Sequence, residues 1–280
     1  MYDDAEEAQL VADRISSQAA IGARQYDDFA VLYRTNAQSA MLERALLQRR
    51  IPYQIIGGVR FYDRKEIKDI VAYLRLLYQP NDRMSFSRIV NIPARGIGAV
   101  SLEKFLTWQS ASGKDIISAL STADMVVTGK AKQGMLRLAQ LLQSLRGQVD
   151  STAPADLIEE IIKATHYDDY LQDGTPQAED REGNIGALIS DARTYTTLSD
   201  FLEEVALMSS ADNDQQAETV TLMTLHAAKG LEFPVVFMVG LEEGILPHAR
   251  VFEGPPSELE EERRLCYVGM TRAREELHIS

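Results

Sequence analysis

Residues Thr221-Leu-Met-Thr-Leu-His-Ala-Ala-Lys-Gly-Leu-Glu-Phe-Pro-Val-Val-Phe237 contain two short apolar runs that are separated by a polar turn. Residues 220–225 alternate in polarity, which predicts a β-strand, and the continuous apolar run 235–239 predicts a second, fully buried strand. Polar residues at the carboxyl end of a buried strand occupy the position where open α/β sheets bind ligands. Taken alone, the segment is equally consistent with an ordinary connection between two strands.

A charged segment, Glu260-Glu-Glu-Arg-Arg-Leu-Cys-Tyr-Val-Gly-Met-Thr-Arg-Ala-Arg-Glu-Glu276, lies near the end of the chain. Helical spacing places Leu265, Val268 and Arg272 on one face, because offsets of three, four and seven residues coincide. A guanidinium on a face that should be apolar must extend to solvent or meet an anion. That anion is either a nearby glutamate, in an internal salt bridge, or a phosphate, which a guanidinium binds in bidentate fashion.

The composition restricts the class of protein. A chain of 280 residues with 45% hydrophobic content can form one large or two modest domains. The single cysteine, Cys266, excludes a disulfide framework and favours a reducing cytoplasm. The absence of a long apolar run or a signal-peptide pattern argues against a membrane partner. The net charge of −13 argues against DNA binding over the whole surface, so any DNA path must be a local basic track.

Periodicity divides the chain into a sheet-forming part and a helical part. Residues 28–33 and 51–56 predict strands on either side of a helix, for which Asn36 can provide the N-cap. This order implies a parallel sheet, which the strands at Val220 and Val235 would complete. The middle of the chain, from about Tyr62 to Ala217, is helical by pattern. Its clearest amphipathic segments are residues 66–78, 135–145, 155–165 and 198–208.

A glycine-containing turn in the helical part, Ile92-Pro-Ala-Arg-Gly-Ile-Gly-Ala-Val-Ser-Leu-Glu-Lys104, is similar to a helix–hairpin–helix element. Gly96 and Gly98 would allow a phosphate to approach closely, and the N–H groups at the start of the next helix can bind it. Arg95 and Lys104 would add positive charge. Such contacts reach the nucleic-acid backbone and carry no sequence information. The alternative is a tight turn that needs glycine only for its backbone angles.

Three segments resemble, in their order and in their residues, the C-terminal motifs of superfamily 1 DNA helicases of the UvrD/PcrA/Rep group. They are Ala30-Val-Leu-Tyr-Arg-Thr-Asn-Ala-Gln-Ser39 and the two segments quoted above, at 221–237 and 260–274. The resemblance extends over nearly the whole chain and is nearest to the PcrA and UvrD types. It implies an α/β fold with a discontinuous, incomplete RecA-like parallel-sheet domain and a large all-helical insertion. The first would be motor domain 2A, in residues 1–61 and 218–280, and the second domain 2B, in residues 62–217.

The resemblance also implies roles for individual residues. Arg272 matches the arginine that reaches the γ-phosphate of ATP and stabilises charge in the phosphoryl-transfer transition state. Glu232 matches the residue that accepts a hydrogen bond from the nucleotide ribose, and it would lie on the same turn as the DNA-facing His226. The residues expected to contact single-stranded DNA are Arg34, Asn36, Thr224, His226, Lys229 and His248. For each histidine, a structural hydrogen bond is the alternative.

Other parts of a complete motor are missing from the sequence. It has neither a Gly-x-x-x-x-Gly-Lys-Ser/Thr phosphate loop nor an acidic strand end suited to magnesium. The resemblance places the second γ-phosphate-sensing arginine before Met1 and the duplex-separating hairpin after Ser280. We therefore expect ATP and Mg²⁺ to be used by a full-length parent that includes the N-terminal motor half. For this chain alone we expect no metal site, no tightly bound cofactor and no ATP hydrolysis.

The implied function is that of the C-terminal portion of an ATP-dependent 3′-to-5′ DNA helicase in the bacterial cytoplasm, associated with the nucleoid. Its partners would be single-stranded and duplex DNA, with domain 2B rotating on its two connections to hold duplex or restrain unwinding. One alternative is an interaction module whose acidic surface binds a repair or transcription protein. Another is a nuclease-associated, helicase-like subunit without a motor half, which an upstream phosphate loop would exclude.

Overall fold

A computed structural model describes residues 4–123, 126–175, 177–210, 218–252 and 254–280 of the chain. The chain divides into two compact units. Unit 1 comprises Met1–Arg64 and Met208–Ser280, and unit 2 comprises Lys65–Leu207. The first boundary is close to the one expected near Tyr62, whereas the expected second boundary, Ala217, lies outside the described residues.

Unit 1 is built on a five-stranded sheet in which every neighbouring pair of strands is parallel. The strands are β1 (Phe29–Tyr33), β2 (Tyr53–Ile56), β3 (Val220–Thr224), β4 (Phe233–Met238) and β5 (Ala273–Ile279). Their order across the sheet is β2-β3-β1-β4-β5, so β3 of the second part of the unit lies between β2 and β1 of the first part. This architecture confirms the expected α/β class and is consistent with a RecA-like domain.

Helices cover both faces of the sheet in unit 1. They are α1 (Asp4–Ala20), α2 (Ser39–Gln48) and, numbered in chain order, α12 (Pro256–Met270). On one face, Val31 packs with Ile15 of α1 and Leu46 of α2 in a common core. On the other face, Leu32 belongs to a second core, against which Leu265 of α12 packs. Burial from both sides explains the apolar run of β1 and the burial of the first four residues of β3.

Unit 2 is helical in its described residues. Its helices are α3 (Lys65–Tyr78), α4 (Arg83–Ile89), α5 (Ala99–Ser112), α6 (Ile116–Leu120), α7 (Gly129–Arg146), α8 (Pro154–Thr165), α9 (Tyr167–Leu171), α10 (Ala178–Ala192) and α11 (Leu198–Ser210), which ends just past the boundary. The four amphipathic segments expected from periodicity correspond to α3, α7, α8 and α11. Across the described ranges, no helix is both long enough and apolar enough to cross a bilayer.

The prediction that a helix continues through Arg272 was wrong. Helix α12 ends at Met270, and residues 273–279 form β5 instead. The segment becomes a strand because it pairs in parallel with the edge of β4. The ring of His278 also stacks on Phe237, with ring centroids 4.6 Å apart. Arg272 therefore lies in the turn that joins α12 to β5.

The predicted N-cap at Asn36 was also wrong. Asn36 begins a short 3₁₀ helix, Asn36–Gln38, and α2 begins only at Ser39. The capping interaction comes from the side chain of Gln38, whose Oε1 accepts from the backbone N–H groups of Arg34 (3.0 Å) and Thr35 (2.9 Å). A glutamine three residues after a threonine cap is the reciprocal arrangement of a capping box.

Candidate functional site

The carboxyl ends of β1 and β3 place four of the expected DNA-contacting residues at one edge of the sheet. Arg34 and Asn36 follow β1, Thr224 is the last residue of the neighbouring strand β3, and His226 follows it. The loop after β2 reaches the same edge, where a Cβ added to Gly57 would lie 3.4 Å from the Cβ of Ala227. We call this side of the sheet the carboxyl edge, and it is where parallel sheets bind ligands.

Glu262 of α12 joins two of the predicted DNA contacts at the carboxyl edge. Its carboxylate accepts from Arg34 through Nε (2.9 Å) and Nη2 (2.8 Å), and from the backbone N–H of His248 (3.1 Å). The side chains of Arg34 and Glu262 are only 12% and 8% exposed. Burial raises the pKa of Glu262, but the hydrogen bonds from Arg34 and His248 outweigh it, so the pKa lies below its usual value. In the sequence, nothing distinguishes Glu262 from the two glutamates that precede it.

Arg272 and Glu232 lie at the opposite side of the sheet, which we call the amino edge. Glu232 immediately precedes β4, Arg272 immediately precedes β5, and Phe233 pairs with Ala273. The Arg272 guanidinium donates to the carbonyl oxygens of Val268 (3.0 Å) and Leu231 (2.9 Å), so it is tied to the residue before Glu232.

Two further contacts define the chemistry of this pair. Arg272 Nη2 donates to Thr271 Oγ1 at 2.9 Å, so three of the five guanidinium N–H groups are engaged within the described chain and two remain for an anion. Glu232 pairs with Arg274 at 3.3 Å, and these side chains are 55% and 58% exposed. An exposed pair of this kind contributes little stability and can exchange for a ligand.

The expectation that His226 and Glu232 share one turn does not match the sheet geometry. Thr224, at the end of β3, is in register with Tyr33, whereas Val235, near the start of β4, is in register with Phe29. β4 begins two residues earlier, at Phe233, so the two ends of the connection are six residues, or roughly 20 Å, apart along the strand direction. His226 follows the carboxyl end of β3 and Glu232 precedes the amino end of β4. Lys229 is exposed between them.

The glycine turn of unit 2 precedes helix α5. Gly96 has a φ of +73°, and Gly98, exposed and extended, is the residue before the first turn of the helix. Lys104 is exposed on α5. The Arg95 guanidinium, by contrast, turns inward and donates to the carbonyl oxygens of Ile89 and Ile92, each at 2.8 Å. The Arg95 side chain therefore stabilises the turn from the inside through these hydrogen bonds.

A groove of about 650 Å³ borders this glycine turn. Helix α7 contributes Lys130 and Arg137 to its lining, and His166 lies at the end of α8. No carboxylate is found among the described residues that line the groove, although the chain carries a net charge of −13. The groove is thus locally basic, as the negative net charge of the chain requires of any DNA-binding surface. Lys130 and Arg137 were missed, although their spacing on one helix face is visible in the sequence.

The chain is similar in sequence to known helicases. A family model described as the UvrD-like helicase C-terminal domain matches residues 1–280. The chain is 44% identical to the ATP-dependent DNA helicase PcrA of Bacillus subtilis over 289 residues. It is 41% identical to the ATP-dependent DNA helicase UvrD1 of Mycobacterium bovis over 302 residues, and 37% identical to PcrA of Staphylococcus aureus over 286 residues.

These matches cover nearly all of this chain but only part of each relative. Each covers 98% of this chain but 39% of the relative, so the chain spans about two fifths of the length of these helicases. The family match covers all residues, including both edges of the sheet and the helical unit. The chain therefore belongs to the family of UvrD-like helicase C-terminal domains.

Proposed function

We propose that the chain is the C-terminal portion of an ATP-dependent 3′-to-5′ DNA helicase and supplies one wall of its ATP site. In the full-length protein, ATP and Mg²⁺ would bind between this wall and an N-terminal motor half. The observation that carries the proposal is the position of Arg272, fixed at the amino edge beside the residue that precedes Glu232. The relatives' description as ATP-dependent DNA helicases supports it.

Arg272 would act on the γ-phosphoryl group during its transfer to water. Its hydrogen bonds to two backbone carbonyl oxygens hold the guanidinium in one orientation before any nucleotide arrives. A preorganised cation stabilises the charge that develops in the transition state without further reorganisation. Glu232 would exchange its exposed partner Arg274 for the ribose hydroxyl of the nucleotide.

The carboxyl edge would contact the backbone of single-stranded DNA. Arg34 and His248 are held near each other by Glu262, and Thr224 and His226 lie at the carboxyl end of the strand next to β1. Hydrogen bonds from such side chains to phosphate and sugar position a strand without reading its sequence, as a translocating motor requires.

The helical unit would contact duplex DNA through its glycine turn and basic groove. The N–H groups at the start of α5 are suited to a phosphate, because the residue before the helix is an exposed glycine. Lys104 on α5 and the groove residues Lys130 and Arg137 would hold neighbouring phosphates. We expect this binding to be strongly salt-dependent and insensitive to sequence.

Replacement of Arg272 by alanine in the full-length protein tests the assignment of the ATP site. Arg272→Ala should lower kcat for DNA-stimulated ATP hydrolysis by about 10³-fold or more, because an arginine finger contributes that much. Affinity for single-stranded DNA, measured by fluorescence anisotropy, should stay near that of the wild type. Arg264→Ala is the matched control, since Arg264 forms an exposed pair with Glu261 on the same helix. Hydrolysis by Arg272→Ala at the rate of this control would refute the role.

A further inference from the structure

Helix α12 connects the two edges of the sheet. Glu262, in its first half, contacts Arg34 and the loop at His248 at the carboxyl edge. Arg272, just after the last residue of the helix, lies at the amino edge. The axial rise of an α-helix places these two positions roughly 15 Å apart, which is most of the distance between the edges.

Glu262 differs from the glutamates beside it. Glu260 and Glu261 pair at exposed positions with Arg263 and Arg264 of the same helix, so they keep their contacts when the helix moves. Glu262 is buried and reaches across to two other segments. Because a carboxylate that accepts several charge-assisted hydrogen bonds is held firmly, a displacement of α12 must displace those segments as well.

The other end of α12 is packed just as closely. A Cβ added to Gly269 would lie 2.5 Å from Leu225 Cδ2 and 2.9 Å from Met238 Cε, so the helix backbone rests directly on these side chains. Arg272 adds its hydrogen bond to Leu231. The helix is therefore fixed to the sheet by the packing of Gly269, at the carboxyl edge by Glu262 and at the amino edge by Arg272, and it should move as one body.

We propose that Glu262 is a positioning residue that couples the ATP wall to the DNA-binding edge. This inference rests on the function proposed above. When Arg272 engages the γ-phosphate, α12 shifts, and the carboxylate of Glu262 moves Arg34 and the His248 loop with it. Glu262 itself contacts neither ATP nor DNA. The coupling is mechanical, and it should be reciprocal, so that DNA binding at Arg34 also positions Arg272.

The test compares Glu262→Gln with Glu261→Gln in the full-length protein. The amide keeps the shape of the carboxylate but loses its charge, which should weaken the contact with Arg34. The two measurements are ATP hydrolysis with and without saturating single-stranded DNA, and DNA affinity with and without a non-hydrolysable ATP analogue. Glu262→Gln should lower the stimulation by DNA about tenfold and reduce the effect of the analogue on affinity by a similar factor. Glu261→Gln should behave as the wild type.

Arg34→Lys provides a second variant, since lysine keeps the charge but cannot make the bidentate contact with Glu262. It should also reduce the effect of the analogue on DNA affinity, and circular dichroism would report whether each variant is folded. Wild-type stimulation and an unchanged analogue effect in folded Glu262→Gln would overturn the coupling alone. A wild-type protein without DNA-stimulated hydrolysis would overturn both the coupling and the proposed function.

Discussion

Gly134 sets how closely helix α7 approaches the glycine turn of the helical unit. A Cβ at this position would overlap the carbonyl oxygen of Arg95 and would lie 3.2 Å from Ile97 Cγ1. The carbonyl belongs to the backbone, so no side-chain rotation can relieve the overlap. In Gly134→Ala, the helix and the turn must therefore separate by about 1 Å, which disturbs the packing of both elements.

The size of the effect follows from two opposing contributions. Overpacking of a closely packed site costs about 1–3 kcal/mol, whereas the higher helix propensity of alanine returns up to about 1 kcal/mol. The net loss of unfolding free energy should be about 1–2 kcal/mol. The same displacement moves Gly96 and Gly98, so the affinity for duplex DNA should fall as well.

Urea denaturation followed by circular dichroism measures the stability, and fluorescence anisotropy of the full-length protein measures duplex affinity. Gly186→Ala in α10 is the matched control, because a Cβ there meets no atom within 4 Å among the described residues. This control should gain about 0.5–1 kcal/mol. Equal stability of the two variants would refute the packing argument. Wild-type duplex affinity in a destabilised Gly134→Ala would show that the turn does not contact the duplex.

Two further predictions concern buried carboxylates in unit 1. Glu43 is 2% exposed and accepts from Ser39 Oγ (2.8 Å), the Tyr53 hydroxyl (3.0 Å) and the backbone N–H of Phe61 (3.0 Å). Glu43→Ala should therefore lower the unfolding free energy, measured by urea denaturation, by about 3 kcal/mol, and Glu43→Gln should lower it by less. Equal stability of Glu43→Ala and the wild type would contradict this prediction. For Glu262, the native pKa lies below the usual 4.5, so its ion pair stabilises the fold above that pH and is lost as pH falls through the lowered value. The stability difference between wild type and Glu262→Gln should be largest at neutral pH and shrink below pH 4.5, and a difference that grows on acidification would contradict the assignment.

Burial decided which parts of the fold could be predicted from periodicity. Strands β1 and β4 have buried apolar runs, β3 alternates in polarity, and α3 and α8 have wide apolar faces, so their patterns are strong. Strand β5 was missed because it lies at the sheet edge, where its apolar residues Leu277 and Ile279 stay exposed and the partly buried alternate residues are Glu276 and His278. The glutamates between Ala273 and Leu277 continue a helical pattern, so pairing with β4 had to override local preference.

The candidate site was predicted less completely because its decisive contacts are distant in sequence. Arg34 and Glu262 are 228 positions apart, and no local pattern indicates which of three consecutive glutamates faces inward. Arg95 shows that a clear local pattern can also suggest a contact that the fold does not make. Its place in a glycine turn suggested a phosphate contact, but carbonyl oxygens at the end of α4 and the Tyr73 hydroxyl, 2.5 Å away, direct the guanidinium inward.

The parallel sheet changes how the two halves of the site can communicate. Residues close in sequence, such as His226 and Glu232, lie at opposite edges, so a change at one cannot reach the other by contact. Among the described connections between the two edges, residues 225–232 and helix α12 lead to the predicted ATP-site residues Glu232 and Arg272. The first is a series of turns with an exposed Gly230 at a φ of +86°, and glycine has a wider choice of backbone conformations than other residues. Helix α12 holds its length through continuous hydrogen bonds. The helix is therefore suited to transmit a displacement between the edges, while the connection adjusts to it.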